Sequence, residues 1–215
     1  MRINLDSPIL TALTKIYDSL YATLLFVLGC LPIVTIGASC AAMHATMMAI
    51  AAEECSGVWR KFAESFKENC VAATKLWGLA LPVGVLVYVN LQICWGISQE
   101  PSAMLALMRG LTIFTTALYI SLFIYVFAGL SRFHVTIKQA LSNALIWSMQ
   151  KLPWTLCLLL ITGVMAICVY LIWFGAIPLI ALGLYWQARI LNKVFGLEPD
   201  KLEDDPPSDE EIHYY

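Results

Sequence analysis

Apolar residues in this chain fall in long runs, not in the alternation of strands or the single stripe of a soluble helix. The runs cover residues 20–36, 38–52, 76–97, 110–130, 153–174 and 179–191. A helix needs roughly 20 apolar residues to cross a hydrocarbon layer of about 30 Å. Backbone in lipid must also satisfy its own hydrogen bonds. Each run therefore predicts a membrane-spanning helix. The first run ends in Leu31-Pro32-Ile33-Val34-Thr35-Ile36-Gly37. There Pro32 removes a backbone donor and Gly37 permits a tight reversal.

The second run is short and rich in Ala and Met. Alone it could be a buried or re-entrant helix. Ala41, Ala45 and Ala49 recur every fourth residue, a spacing of small residues that lets membrane helices approach closely. The run is read as a span packed inside the bundle and little exposed to lipid. Two charged intervals, 53–75 and 131–151, separate longer runs. In the first, Val58, Phe62, Phe66 and Cys70 recur every four residues beside Trp59, with Arg60, Lys61, Glu64, Lys67 and Glu68 between them. That pattern predicts an amphipathic helix at the membrane interface, Trp and Phe inward and charges toward water. Ile137, Leu141, Ala144, Leu145 and Ser148 predict a second one.

Composition supports lipid as the main solvent. The chain is 60% hydrophobic and 13% charged, with mean hydropathy +0.76, whereas soluble domains carry about 25% charged residues. Charge placement then selects a topology, because Lys and Arg gather in cytoplasmic loops. Six spans with the N-terminus inside put Arg2, Lys15, Arg60, Lys61, Lys67, Lys75, Arg132, Lys138, Lys151, Arg189, Lys193 and Lys201 on one side and only Arg109 on the other. Five spans would break that segregation. The expected fold is an all-α, polytopic transmembrane bundle of six spans, residues 1–196, with two interfacial amphipathic cytoplasmic helices. Both termini are expected to be cytoplasmic, in a cell membrane. Residues 197–215 hold eight acids against Lys201, together with Pro206 and Pro207, and read as a disordered acidic tail. Residues 1–17 carry Asp6 and Pro8 and lack the apolar core of a cleaved signal.

Little in the sequence promises covalent chemistry. The spans hold no paired carboxylates, the usual mark of a proton relay or ion-coupled transporter. Asp18 stands only at the entry of the first. GxSxG, GxGxxG and GxxxxGK[ST] motifs do not occur, and the seven cysteines form no CxxC or Cys/His cluster. The chain is expected to be neither an enzyme nor the holder of a metal or cofactor, and no nucleic-acid partner is expected. Four intramembrane polar residues are candidates for a functional site: His44, Asn90, Gln92 and Gln187. Each has an ordinary alternative as a helix–helix hydrogen-bonding group. Trp59, Phe62, Phe66, Lys67 and Asn69 are candidates for a cytoplasmic docking surface, with a resting place on lipid headgroups as the alternative.

The stretch Leu31-Pro32-Ile33-Val34-Thr35-Ile36-Gly37-Ala38, then Ala41-Ala42-Met43, then Phe62-Ala63-Glu64-Ser65-Phe66-Lys67-Glu68-Asn69 resembles the YesL family of bacterial membrane proteins, catalogued as a domain of unknown function. Arg132-Phe133 and residues 141–145 are also similar to it, and the resemblance covers residues 18–191. Members are often encoded beside carbohydrate-uptake ABC transporter components. The resemblance thus implies an accessory or scaffold role in carbohydrate uptake, with permease subunits or a second copy of the chain as partners besides the lipid bilayer. The alternative is a small-solute transporter or channel in its own right. No site residue is carried over from the family.

Overall fold

Pro32 sets the first reversal. The computed structural model describes residues 8–96, 103–133, 136–171 and 176–196, and all regular structure in them is helical: α1 (Pro8–Gly29), α2 (Ile36–Ala51), α3 (Val58–Gly96), α4 (Ala103–Arg132), α5 (Ile137–Gln150), α6 (Leu152–Leu171) and α7 (Ala176–Phe195). A single 3-10 turn, Ile33–Thr35, leads into α2. Helix α1 stops just before Pro32, and the Thr35 hydroxyl donates to the Gly29 and Pro32 carbonyls at 2.8 and 2.9 Å. At the far end of α2 the Glu54 N–H reaches the Ala49 carbonyl at 3.0 Å and the Glu53 N–H the Ile50 carbonyl at 3.3 Å. This is a Schellman closure, with Glu53 in the left-handed region (φ 62°) that glycine usually fills.

Among the described residues four segments are long and apolar enough to cross a membrane: Ile33–Ala51, Val58–Gly96, Ala103–Arg132 and Leu152–Leu171. These mark the chain as a membrane protein. Their apolar surface is divided unequally. The α2 segment is 72% buried by the rest of the chain, whereas the α3 and α6 segments are each 11% buried. Helix α2 is therefore covered by protein, against α1, α3, α4 and α7. The apolar faces of α3 and α6 are left for lipid.

Small residues make that coverage possible. Gly37, Ala41, Ala45 and Ala49 recur every fourth position along α2 and all are buried. A methyl group on Gly37 would fall 2.5 Å from the Ala73 carbonyl oxygen and 2.7 Å from Trp77 Cβ. On α3 the facing stripe is Val58, Phe62, Ser65, Asn69, Ala73 and Leu76, a spacing of three and four that keeps one face toward its neighbour. Helices α1 and α2 form an antiparallel hairpin, tied at one end by Gly29 against Ser39 and at the other by Lys15 with Glu53. The tip of this hairpin meets α3 at Ala73–Trp77. Nineteen residues of α3 lie beyond Trp77, about 29 Å of helix. They pair with α4 through Tyr119 on the Ala80 carbonyl (3.1 Å) and Thr112 on Asn90 (2.8 Å). Leu86 and Leu107 there are each 70% exposed.

The remaining helices close one end of the bundle. A capping box of Thr136 and Gln139 starts α5, and Trp147 lies over Gly129 of α4. Trp147, Phe133 and Phe195 pack together, with centroids 4.7 to 5.9 Å apart. The Lys151 ammonium donates to the Val194 carbonyl at 2.7 Å. It satisfies a group at the end of α7, where a cation is favoured.

Several sequence expectations need correction. The charged interval 53–75 and the run 76–97 are not an interfacial helix and a separate span. Val58–Gly96 is one helix of 39 residues, roughly 58 Å long, and it continues from its charged into its apolar half through Gly78 and Pro82. Its buried stripe passes through Ser65 and Asn69, not Phe66 and Cys70. Trp59, expected to point inward, is 61% exposed. The first helix begins at Pro8, twelve residues before its apolar run, and ends at Gly29 instead of reaching residue 36. The helices carrying the fourth and sixth runs, α4 and α7, also extend beyond them at both ends. The expected tail lies outside the described residues.

The α2–α3 contact gives a direct test. Gly37→Ala should lower stability by about 1–3 kcal/mol through overpacking. Gly78→Ala, where an added methyl meets nothing within 4 Å, should be neutral or gain up to ~1 kcal/mol in helix propensity. Unfolding of the two variants in mixed micelles checks this; equal losses would contradict the close approach.

Candidate functional site

The four intramembrane polar candidates do not meet. His44 is buried on α2. Asn90 and Gln92 sit in the distal half of α3 and are exposed. Asn90 Oδ1 accepts from the Thr112 hydroxyl, which also approaches Cys94 Sγ at 3.2 Å. Gln187 is buried on α7, where its Nε2 donates to the Thr162 hydroxyl of α6 at 2.8 Å. Each of these contacts joins two neighbouring helices, the ordinary work of a polar group between apolar helices. Asn192, which sequence reasoning passed over, does the same: its Nδ2 donates to the Met48 carbonyl at 2.9 Å and fixes α7 to α2. Its signal was hidden because it stands beside the charged Lys193, where a polar residue looks solvated.

The five docking candidates divide in two. Phe62 and Asn69 are core residues at 6% and 7% exposure. The Asn69 Nδ2 donates to the Ser65 carbonyl at 3.0 Å. Phe66 is half-buried, stacked on Phe62 at 6.3 Å. Only Trp59 and Lys67 face outward, beside the exposed Arg60–Glu64 pair.

The structure instead gathers charge at the α2–α3 turn. Glu53 pairs with Lys15 of α1 at 2.5 Å, and Glu54 pairs with Arg132 at the end of α4 at 3.3 Å. Two consecutive acids thus tie the turn to two other helices. The left-handed backbone at Glu53 directs its carboxylate to Lys15, a role glycine could not fill. Only the doublet itself, following directly on an apolar helix, signals this arrangement in the sequence.

Lys15 also forms part of a second feature. A groove of about 570 Å³ runs between α1 and α7. Ala12, Ile16 and Leu20 line one wall, Ala181, Leu182 and Trp186 the other, and Thr11, Lys15 and Ser19 supply polar groups on the α1 side. Such a volume lies within the range of small-molecule sites, roughly 300–1,000 Å³. Among the described residues no group of three or more His, Cys, Asp or Glu could hold a metal ion.

A family model described as "Protein of unknown function, DUF624" matches residues 20–91, from the middle of α1 through most of α3. The match takes in the α1–α2 hairpin tip, the Gly37–Ala73 contact and the Glu53–Glu54 turn. No curated protein matches the chain, and no solved structure matches it.

The Lys15–Glu53 pair gives the turn a pH dependence. The Lys15 ammonium, hydrogen-bonded to Glu53, holds its carboxyl below the ordinary value of 4.5. A depressed folded-state value means the stabilisation is present at neutral pH and is lost as pH falls through the lowered value, below 4.5. Because the pair is exposed, it contributes at most about 0.2–1 kcal/mol. Unfolding measured near neutral pH and below pH 4.5 should show this loss in the wild type and a smaller loss in Lys15→Gln. An identical acid loss in both would contradict the assignment.

Proposed function

We propose that this chain crosses the membrane six times, with both termini in the cytoplasm, and works by contact as an accessory or scaffold component of a membrane transport complex. The observation that carries the scaffold reading is the bundle's interior. Apolar α2 fills it, and the candidate polar residues lie apart instead of lining a common path: Asn90 and Gln187 are engaged in separate helix–helix contacts, His44 is buried on α2 and Gln92 is exposed on α3. Transport by this chain alone would need such a path. The topology draws support from the ion pairs. Lys15 of α1, the α2–α3 turn and the end of α4 are tied together by Glu53 and Glu54, and the α5–α6 junction is tied to the end of α7 by Lys151. Alternating crossings bring these points to one side, where Lys and Arg are abundant.

Helix α5 lies at the cytoplasmic interface in this reading. Ala140, Ala144 and Ser148 face the bundle, and Leu141, Leu145, Ile146 and Met149, 39% to 70% exposed, rest on lipid. Trp59 and Lys67 on the charged half of α3 are the outward positions open to a partner. The link to carbohydrate uptake rests on the family resemblance, and the partners it indicates are permease subunits of an ABC transporter or a second copy of this chain.

Purification of the tagged full chain in mild detergent, from cells growing on the inducing sugar, tests this reading. Permease subunits or a second copy should co-purify, and Trp59→Ala with Lys67→Ala should weaken their recovery without loss of the chain itself. Recovery of the chain alone, together with solute flux into liposomes above empty controls, would overturn it in favour of an independent transporter.

A further inference from the structure

The α1–α7 groove has the makings of a lipid site. Its flanks belong to the outer surface: Ile16 is 52% exposed, Leu182 50% and Trp186 50%. In the six-crossing arrangement, on which this inference rests, that surface faces the bilayer. An apolar space bordered by lipid does not stay empty, since its walls would lose their dispersion contacts. Ala12 and Ala181 open the groove by being small. On the α1 wall Thr11, Lys15 and Ser19 recur every four residues beside Ala12, Ile16 and Leu20, and Lys15 is the only charged side chain among the residues that line the groove.

Lys15 sets the chemistry of the groove's polar side. Its ammonium bonds Glu53 just past the last turn of α2, so it lies at a helix end, at headgroup level. An ammonium has three donors, and Glu53 takes one of them. The Lys15 side chain is 27% exposed, against 66% for Glu53. The carboxylate thus stands out in water while the ammonium stays at the groove. An apolar trough with a cation at headgroup level is complementary to an anionic amphiphile.

We propose that the groove holds one acyl chain of an anionic phospholipid from the surrounding leaflet, with its phosphate on Lys15. The lipid fills the gap between α1 and α7 and shares Lys15 with the α2–α3 turn. It thereby couples the leaflet's anionic lipid to the turn at the centre of the ion-pair cluster.

The full chain, reconstituted in vesicles of equal phosphatidylcholine and phosphatidylglycerol and extracted into mild detergent, is read by native mass spectrometry. The wild type should retain one phosphatidylglycerol per chain, preferred over phosphatidylcholine roughly tenfold, the size expected for one charge-assisted contact. Lys15→Gln should abolish the preference. Glu53→Gln breaks the same ion pair but leaves the Lys15 charge uncompensated, so the preference should persist or grow. Ala12→Phe should reduce retention of both lipids by filling the trough. A wild type that retains neither lipid, or both equally, overturns the proposal. So does an equal fall in Lys15→Gln and Glu53→Gln, which would trace the effect to the ion pair. Resistance of the vesicle-bound chain to alkaline carbonate, read on the same samples, reports membrane integration separately from the lipid preference.

Discussion

The approach of α2 to α3 at Gly37 and Ala73 is the contact on which the rest of the arrangement depends. Two helices can come so close only where the residues at the crossing are small, here a glycine against an alanine, and a methyl on Gly37 would meet backbone, which cannot move aside. In lipid this closeness matters more than in water. The hydrophobic effect does not drive apolar helices together there, so packing and hydrogen bonds must do so. Small residues at 37, 41, 45 and 49 keep the surface of α2 smooth along its length. The larger Met43, Met47 and Met48 fill the space on its other sides, a use suited to their flexible side chains.

With α2 enclosed, the rest of the architecture follows. The helices around it add large apolar side chains to the core, such as Phe62 and Leu76 of α3 and Tyr125 and Phe127 of α4, while the outer helices keep large apolar side chains on their outward faces. Thus α5 buries Ala140, Ala144 and Ser148 while Met149 is exposed, and α6 buries Thr155 and Leu158 while Leu156 and Leu160 are exposed. Several polar groups inside this arrangement pair across helices: Thr155 with Tyr125, Gln187 with Thr162, Asn192 with Met48. They hold helices in register. This is why the interior supports a structural role more readily than a conduit, and why attention moves to the turn at Glu53 and Glu54 and to the groove beside Lys15.

Much of this was legible in the sequence, and the part that was not has identifiable causes. The apolar runs named the helices because lipid demands long uninterrupted segments. The four-residue spacing of Ala41, Ala45 and Ala49 pointed to an enclosed α2. Hydropathy could not locate helix ends that lie outside the apolar layer, so α1 began unnoticed at Pro8 and α3 was cut in two at Lys75. A charged-to-apolar change in composition alters the solvent, not the backbone. The burial of Ser65 and Asn69 in place of Phe66 and Cys70 was missed because a period of exactly four drifts around a 3.6-residue helix, while the true stripe alternates three and four. The Lys15–Glu53 and Arg132–Glu54 pairs join residues 38 and 78 positions apart, and nothing local announces them. Trp59 drew attention as an aromatic beside Val58 and Phe62, yet helical geometry puts consecutive residues on different faces.

The central claim is that protein, not lipid, covers α2 all the way round. Nitroxide labels placed one at a time along 38–50 and 79–93, with collision rates to oxygen measured in a bilayer, test it most directly. Uniformly low oxygen access along α2, with high access at Leu86 and Ile93, is the predicted result. A stripe on α2 with oxygen access equal to that of Leu86 would contradict it.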